Sequence, residues 1–142
     1  MLTVSTPELE LMQVTQDTPG KMCVDVTFPI NAYAGSADSA VVYFKVEPGD
    51  RLATHTDSAE EILYIVRGEA EAHVGDEHGR LRAGDLAVIP ALAPHGLESV
   101  GDETLEVVGF FSEAEIESVF DEPLQPVGLA RLTQGAPAPA AA

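Results

Sequence analysis

Two histidines and two acidic residues have the types and spacing needed to bind a metal ion. His55 and Asp57 are two residues apart, so on an extended strand their side chains point to the same face. Glu61 precedes an apolar run and shares its strand phase with Leu63 and Ile65. A carboxylate among apolar side chains is costly unless it is paired or binds a cation. This pattern favours a cation site on an inward-facing surface.

The fourth candidate, His95, lies in the segment Pro90–Gly96, which we interpret as a proline-stiffened loop just after a strand. Two imidazoles and one or two carboxylates that meet inside a barrel form a mixed nitrogen and oxygen site for a first-row divalent metal. We expect the other two histidines to be solvated, because His73 has the outward phase of its strand and His78 lies in a polar turn. Cys23 is interpreted as a small core or strand residue.

Short β-type runs separated by Gly, Pro and Asp must position these residues, a rhythm typical of a sandwich or barrel. The predicted strands are Leu9–Val14, Cys23–Phe28, Val41–Glu47, Ile62–Arg67, Glu69–Val74, Asp85–Ile89 and Leu105–Phe111. Turns at Gly49 and Gly84 are expected to have positive φ. A capping box at Ser112 and Glu115 predicts a helix to about Phe120. We expect residues 1–132 to form one domain and the Ala/Pro-rich residues 133–142 to be a flexible tail.

Two spaced motifs resemble those of the cupin superfamily. Gly49-x5-His55-x-Asp57-x3-Glu61-x6-Gly68 is similar to the first cupin motif, G-x5-H-x-H-x3-4-E-x6-G. Gly84-x5-Pro90-x4-His95 is similar to the second, although Leu92 replaces its Gly and Ser99 its Asn. The resemblance covers residues 41–111 and implies an all-β, double-stranded β-helix (a jelly-roll barrel) with a metal in its mouth.

By position, the resemblance implies that His55, Asp57, Glu61 and His95 are the metal ligands. Asp57 stands where the family has a second histidine, so the site is more anionic, and Fe or Mn is favoured over Ni, Zn or Cu. A three-ligand set of His55, Glu61 and His95 is an alternative that resembles the two-His-one-carboxylate iron site. A degenerate cupin in which Asp57 faces solvent and no metal binds is the other alternative.

The chemistry that follows is metal-centred, since no catalytic side chain beyond the ligands is identified. The leading hypothesis is dioxygenase or related oxidoreductase chemistry on a small organic molecule; the alternatives are a non-oxidative cyclase or isomerase and a non-catalytic binding protein. An apolar wall favours a weakly polar ligand over a sugar phosphate. Its expected residues are Val42, Phe44, Leu63, Ile65, Val88, Leu105 and Val107, with Arg51, Tyr43 and Tyr64 as polar candidates.

A homodimer is also expected. Ile62, Tyr64 and Val66 make the strand that carries Leu63 and Ile65 apolar on both faces. The N-terminal strand, the predicted helix or a second subunit must cover the outer one. Cupins commonly pair in this way, which the resemblance implies.

Composition excludes several classes of function. The 142 residues (15.0 kDa, mean hydropathy +0.07) are enough for one domain with a sizeable core. A net charge of −17 disfavours nucleic acid and anionic membranes as partners and is otherwise typical of a solubility or salt adaptation. One cysteine forbids an internal disulfide, and no apolar run or leader indicates membrane insertion or export. We therefore expect a cytoplasmic protein.

Overall fold

The regular structure of the protein is almost entirely β-strand. The computed structural model describes residues 1–17 and 22–135, which form a 3-10 turn, Thr6–Glu8, and twelve strands. The strands are β1 Met12–Thr15, β2 Cys23–Ile30, β3 Ala40–Val46, β4 Arg51–Asp57, β5 Glu61–Arg67, β6 Glu69–Val74, β7 Glu77–Arg82, β8 Leu86–Ile89, β9 His95–Val100, β10 Leu105–Phe111, β11 Ile116–Leu124 and β12 Leu129–Gln134. No helix in these ranges has the length and apolarity needed to cross a membrane.

The strands form two antiparallel sheets of six strands each. The first sheet has the order β1-β2-β3-β10-β5-β8, and the second has the order β12-β11-β4-β9-β6-β7. Most neighbours within a sheet come from distant parts of the chain, as in the pairing of β3 with β10 and of β4 with β11. This architecture confirms the predicted all-β jelly-roll fold.

Alternation along the strands decides which side chains fill the space between the sheets. In β5, Glu61, Leu63 and Ile65 are buried, whereas Ile62 and Tyr64 are exposed. The same period of two in β3 and β10 buries Phe44, Val46, Leu105 and Val107. Glu61 thus belongs to the buried face, as its phase predicts.

Two of the motif glycines adopt the backbone conformation expected of them. Gly49, before β4, has a φ of +87°, and Gly84, before β8, has a φ of +94°. Residues with a Cβ rarely adopt these values, so glycine is the natural residue at each turn. Each turn leads directly into a strand beside the candidate site.

The helix predicted from Ser112 to Phe120 is wrong. Residues 112–115 lie in bends, and Ile116–Leu124 is strand β11. Ile116, Ser118 and Phe120 are buried at a period of two, which is the pattern of a strand. Because β11 pairs with both β4 and β12, its backbone groups have partners on two sides, and this outweighs the local capping signal.

Four further strands differ from the sequence expectations. β4 was expected only as extended chain around His55, and β7 covers the segment around His78 that was expected to be a turn. His95 opens β9 instead of lying in a loop. β12 continues through Thr133 and Gln134, which pair with β11, so these two residues do not belong to a tail. Residues 136–142 of the expected tail lie outside the described part of the chain.

Candidate metal centre

The second sheet places the two candidate histidines side by side. His55 on β4 is directly opposite His95 on β9, and a register shift lies between Leu52 and His55. The two rings have centroids 4.2 Å apart and planes inclined by 49°. On the other side of β4, Phe120 of β11 is opposite His55 and stacks on its ring at 4.5 Å. Strand register therefore fixes both imidazoles in one row across three strands.

Backbone carbonyls fix the tautomer of both histidines in the same way. The Nδ1 atom of His55 lies 2.8 Å from the carbonyl oxygen of Ala53, and that of His95 lies 2.9 Å from the carbonyl oxygen of Ala93. A carbonyl oxygen can only accept, so each Nδ1 carries the proton and donates it. In the neutral ring the Nε2 lone pair is then free to bind a metal.

Asp57 lies two residues after His55 on β4, and a serine hydroxyl group holds its carboxylate in place. Ser118 of β11 is opposite Asp57, and its Oγ donates a 2.6 Å hydrogen bond to Asp57 Oδ1. The other carboxylate oxygen, Oδ2, lies 3.5 Å from His55 Nε2 and 3.2 Å from His95 Nε2. Ser118 therefore leaves one oxygen of Asp57 directed at the histidine pair.

Glu61 reaches the same point from the first sheet. Its Oε1 lies 3.5 Å from His95 Nε2, and the side chain is buried. Its other oxygen lies against Gly109 of β10, where a Cβ would stand only 2.2 Å from Oε2. The carboxylate thus occupies space that any other residue at position 109 would fill.

The donor set fits a cation. Ligand atoms of His55, Asp57 and His95 all lie within 4.8 Å of one another, and all three residues are buried. Asp57 Oδ2 and His95 Nε2 are both buried and face each other at 3.2 Å without a well-formed hydrogen bond. In the metal-free protein a proton on His95 offsets the cost of burying these groups, and a shared metal ion would take the place of that proton. This set of three close ligand atoms includes one from Asp57, which the three-ligand alternative of His55, Glu61 and His95 leaves out.

The electrostatics of the metal-free cluster follow from burial and close contact. Burial alone would raise the pKa of Asp57, but the rings of His55 and His95 outweigh it and hold that pKa well below its ordinary value. Burial also opposes the charged form of His95, yet Asp57 and Glu61 raise its pKa from 6.5 to about 10. Burial raises the pKa of Glu61, with His95 acting against it. In the metal-free protein, His95 therefore holds a proton at the place where a metal ion would bind.

The cluster lines a large cavity between the sheets. The cavity has a volume of about 990 Å³, and its lining includes all four candidate ligands. Of the residues expected in its wall, Val42, Phe44 and Leu63 are present. Val88 is instead 59% exposed on the outer face of the first sheet. Ile65, Leu105 and Val107 are fully buried in the core. Much of the remaining wall comes from β1, β2, β11 and β12, which sequence phase could not assign.

The polar candidates outside the cluster do not reach this cavity. Tyr43 is buried and donates a hydrogen bond to Glu106, whereas Tyr64 is partly exposed on the outer face. Arg51 is exposed beside a separate depression of about 200 Å³ on the outside of the second sheet.

The remaining histidines and the cysteine also lie apart from the cluster. His73 points outward as predicted but is half-buried, because its ring packs over Gly96 and its Nε2 lies 2.9 Å from Thr54 Oγ1. His78 is exposed on β7, with its ring centroid 5.9 Å from that of His73. Cys23 is half-buried in β2.

Sequence reasoning missed three residues that shape the cluster: Ser118, Phe120 and Gly109. Ser118 and Phe120 lay in the supposed helix, where their alternation with Ile116 was the available signal for a strand. A glycine inside the apolar strand β10 marks a close approach of another group, which is the available signal for Gly109.

Comparison with known families identifies the fold independently. The profile of the family described as Cupin domain matches residues 42–111. A search of curated protein sequences gave no significant match. The family match spans β3 to β10 and therefore includes all four candidate ligands.

Solved structures agree with this family match. A protein with a double-stranded β-helix domain from Klebsiella pneumoniae is 27% identical, with a TM-score of 0.56 over 62% of this chain and 75% of that one. A formate complex of the Lactobacillus farciminis oxalate decarboxylase is 22% identical, with a TM-score of 0.64 over 74% of this chain. This chain spans only 32% of that enzyme.

A third structure, of the Bacillus subtilis oxalate decarboxylase, was described for its Mn(II) centres. It is 25% identical, with a TM-score of 0.61 over 68% of this chain and 27% of that one. Four observations indicate one family. They are the two sheets with jelly-roll topology, the buried His/Asp group able to hold a metal, the matched profile and the similar solved structures. The chain belongs to the cupin superfamily.

Proposed function

We propose that this protein is a metal-dependent cupin that acts on a small organic molecule through dioxygenase or related oxidoreductase chemistry. His55, Asp57, Glu61 and His95 would hold one divalent ion. The observation that carries the proposal is the convergence of buried ligand atoms: Asp57 Oδ2 lies 3.2 Å and Glu61 Oε1 lies 3.5 Å from His95 Nε2.

The donor set favours Fe or Mn over Ni, Zn or Cu. Two imidazole nitrogens and two carboxylate oxygens suit Fe and Mn, which accept mixed ligands, whereas thiolate ligands are absent from the described cluster. The Mn(II) centres of the Bacillus subtilis neighbour support manganese as one of the two. An ion held by these four residues would act as a Lewis acid towards a substrate and could also bind dioxygen or water.

The chain's own residues would orient the ligands and surround the site with a largely apolar wall. Such a metal supplies Lewis acidity and, as Fe or Mn, oxygen activation. The Ala53 and Ala93 carbonyls orient the imidazoles, and Ser118 orients Asp57. The apolar side chains around the cluster lower the polarity of its surroundings, which strengthens charge interactions there.

A non-oxidative isomerase or cyclase is the second candidate, and the position of Glu61 favours it. The compact group that could hold a metal ion consists of His55, Asp57 and His95, with Glu61 beside it. Burial raises the pKa of Glu61, so this carboxyl could accept or donate a proton at a ligand whose carbonyl the metal polarises. In that case Glu61 is an acid–base group and not a ligand.

Metal analysis and oxygen uptake test these alternatives together. We expect the purified protein to contain about one Fe or Mn ion per chain, and His95→Ala to lose it. Loss of the ion in Glu61→Ala as well supports the four-ligand site, whereas retained metal with lost turnover supports the isomerase or cyclase. Oxygen-electrode assays over a panel of enols, phenols and carboxylic acids separate oxidative from anaerobic turnover. Unchanged metal content in both variants would refute the ligand assignment.

We also propose that the protein is a cytoplasmic homodimer that pairs through its outer patch. The outer patch consists of Ile62, Tyr64, Val66, Leu86, Val88 and Phe110, each 38–67% exposed. Cross-strand pairs such as Ile62 with Val88 make it continuous over β10, β5 and β8. β1 pairs with β2 at the opposite edge, and the predicted helix is a strand of the second sheet, so neither covers the patch.

A further inference from the structure

The cavity above the metal cluster has a largely apolar wall on which the four candidate ligands lie together. Its volume of about 990 Å³ is at the upper limit of pockets that enclose drug-sized ligands. Away from the cluster, its wall includes Val24, Val26, Phe44, Phe111 and Leu124. The four ligand residues form one polar region of the wall. The other polar lining residues are Glu10, Thr27, Asn31, Tyr33, Glu115, Ser118, Arg131, Thr133 and Gln134. Such a cavity matches a molecule with a large apolar part and one polar head.

The charges around the cavity restrict that head to one anionic or neutral oxygen group. The carboxylates of Asp57 and Glu61, when ionised, balance both charges of a divalent ion, so the loaded site has little attraction for a dianion. Among the described lining residues, Arg131 carries the one guanidinium, and Glu117 pairs with it. A second anionic group on the ligand would therefore have no free cation to bind.

We propose that the ligand is an amphiphile with one oxygen head at the metal and an apolar body in the cavity. This proposal rests on the proposed metal site. The proposed ligand differs from oxalate, which gives the oxalate decarboxylases among the structural neighbours their name, because oxalate has two carboxylates and no apolar body.

Binding of decanoate, octanoate and oxalate to the protein with and without Mn²⁺ tests this ligand class. Each buried methylene contributes about 0.8 kcal/mol, so decanoate should bind about tenfold more tightly than octanoate. Mn²⁺ should tighten the binding of both fatty acids, and oxalate should bind at least tenfold more weakly than decanoate. Equal affinity for the two chain lengths, or tighter binding of oxalate, would overturn the proposal.

A matched pair of variants locates the apolar body. Val26→Thr places a hydroxyl in the cavity wall, whereas Val88→Thr places one on the outer face. The first should weaken decanoate binding several-fold, and the second should leave it unchanged; equal effects would contradict the assignment. If decanoate binds more tightly than octanoate but Mn²⁺ does not bind, the proposed metal site is refuted, and the proposed apolar body of the ligand is supported.

A separate observation concerns the slot that receives Glu61. A Cβ on Gly109 would lie 2.2 Å from Glu61 Oε2, 3.2 Å from Glu61 Cδ and 2.7 Å from Val42 Cγ1. Gly109 is central in the first sheet, paired with Val42 on β3 and Leu63 on β5, so its backbone cannot move away easily. Any side chain at position 109 would displace the Glu61 carboxylate.

We infer that Gly109 is a positioning residue that directs Glu61 towards His95 and the metal. Glu61 Oε1 reaches to 3.5 Å from His95 Nε2 only while Oε2 occupies the slot against Gly109. The absence of a side chain at position 109 is therefore part of the metal site, although Gly109 supplies no ligand atom.

A double-mutant cycle tests this role through metal affinity. Loss of a group that supports a ligand typically weakens metal binding 10- to 100-fold, and we expect Gly109→Ala to do so for Mn²⁺ and Cu²⁺. In a Glu61→Ala background, Gly109→Ala should cause no further loss, because the residue it displaces is gone. Gly79→Ala is the matched control, since nothing lies within 4 Å of its Cβ. Additive losses would contradict the inference.

A second variant covers the case in which Gly109→Ala disturbs folding through Val42. Val42→Ala removes the Cγ1 atom, so in Val42→Ala/Gly109→Ala the Glu61 carboxylate is the remaining near contact. We expect this variant to fold and still bind metal more weakly than Val42→Ala alone. A crystal structure of either alanine variant with Glu61 unmoved beside His95 would overturn the proposal.

Discussion

At the scale of single residues, the cluster depends on groups that orient its candidate ligands. The two imidazoles donate from Nδ1 to backbone carbonyls two residues earlier, so the same local device presents both Nε2 atoms. Asp57 relies instead on a side chain from another strand, the hydroxyl of Ser118. Partners of this kind orient metal ligands and tune their basicity.

Ser118→Ala should therefore weaken metal binding. Without the hydroxyl, Asp57 Oδ1 loses its 2.6 Å hydrogen bond and the carboxylate is free to rotate. We expect a loss of about tenfold or more in Mn²⁺ affinity, measured by titration calorimetry. Thr54→Val, which removes a hydroxyl on the outer face of β4 next to His55, is the control and should leave the affinity unchanged. Equal losses in both variants would point to a general effect on β4.

The pKa of His95 predicts how metal binding and stability depend on pH. Because this pKa is raised from 6.5 to about 10 in the metal-free fold, its stabilisation is complete below pH 6.5 and is lost as the pH rises towards 10. Glu61, whose pKa is also raised, acts in the same direction. Metal binding requires neutral His95, so affinity should increase over the same window.

Urea unfolding and metal titration at several pH values between 6.5 and 10 would measure both effects. The metal-free protein should lose stability with rising pH while its affinity for Zn²⁺ or Mn²⁺ increases. His95→Gln should flatten the stability profile. A metal-free protein that becomes more stable as the pH rises would show that His95 is not held in its charged form.

At the scale of elements, β11 is the strand on which sequence and structure differ most. The capping signal at Ser112 and Glu115 is local, whereas the pairing of β11 with β4 depends on residues some 60 positions away in sequence. Tertiary pairing therefore overrides a local propensity, and it brings Ser118 and Phe120 to the cluster.

Phe120→Ala tests the contribution of β11 to stability. Phe120 is 9% exposed and stacks on His55, so its removal leaves a cavity beside the cluster. We expect a loss of about 3–5 kcal/mol in the free energy of unfolding, measured with urea. Tyr33→Ala, at a site 75% exposed, should change it by less than about 0.5 kcal/mol. A small effect of Phe120→Ala would indicate that β11 packs loosely.

At the scale of the whole molecule, a strongly acidic protein presents an apolar patch on the outer face of its first sheet. The chain has 24 acidic and 7 basic residues, yet the outer patch of six residues contains no charge. Exposed apolar patches with polar surroundings mark interaction surfaces. Since the net charge of −17 opposes self-association, added salt should strengthen a dimer formed through this patch.

Val88→Glu should disrupt the proposed dimer. It places a carboxylate in the outer patch, on the edge strand β8 and opposite Ile62, where a second copy would bury it. Sedimentation equilibrium should give a dimer for the unchanged protein and a monomer for the variant at the same concentration. Leu129→Glu, at an exposed apolar site on the second sheet, should remain dimeric. A monomeric mass for the unchanged protein at all concentrations would rule the dimer out.

The sequence by itself determined the fold class and brought the four candidate ligands to attention. Strand phase placed Glu61 on the buried face, and the spacing of His55 and Asp57 placed them on one face of an extended strand. These are properties of a period of two, which the local chain dictates. Motif glycines predicted turns with positive φ for a similarly local reason.

The tertiary structure alone decided which residues surround those ligands. Ser118, Phe120 and Gly109 lie on strands that approach the cluster through pairing and packing between distant segments, and no local pattern encodes such register. The same holds for the cavity wall, where Val88 faces outward and Val24 inward, because the position of a strand in its sheet decides which face is covered. Local periodicity determines the direction of a side chain, and only the packing of the sheets determines which residues that side chain contacts.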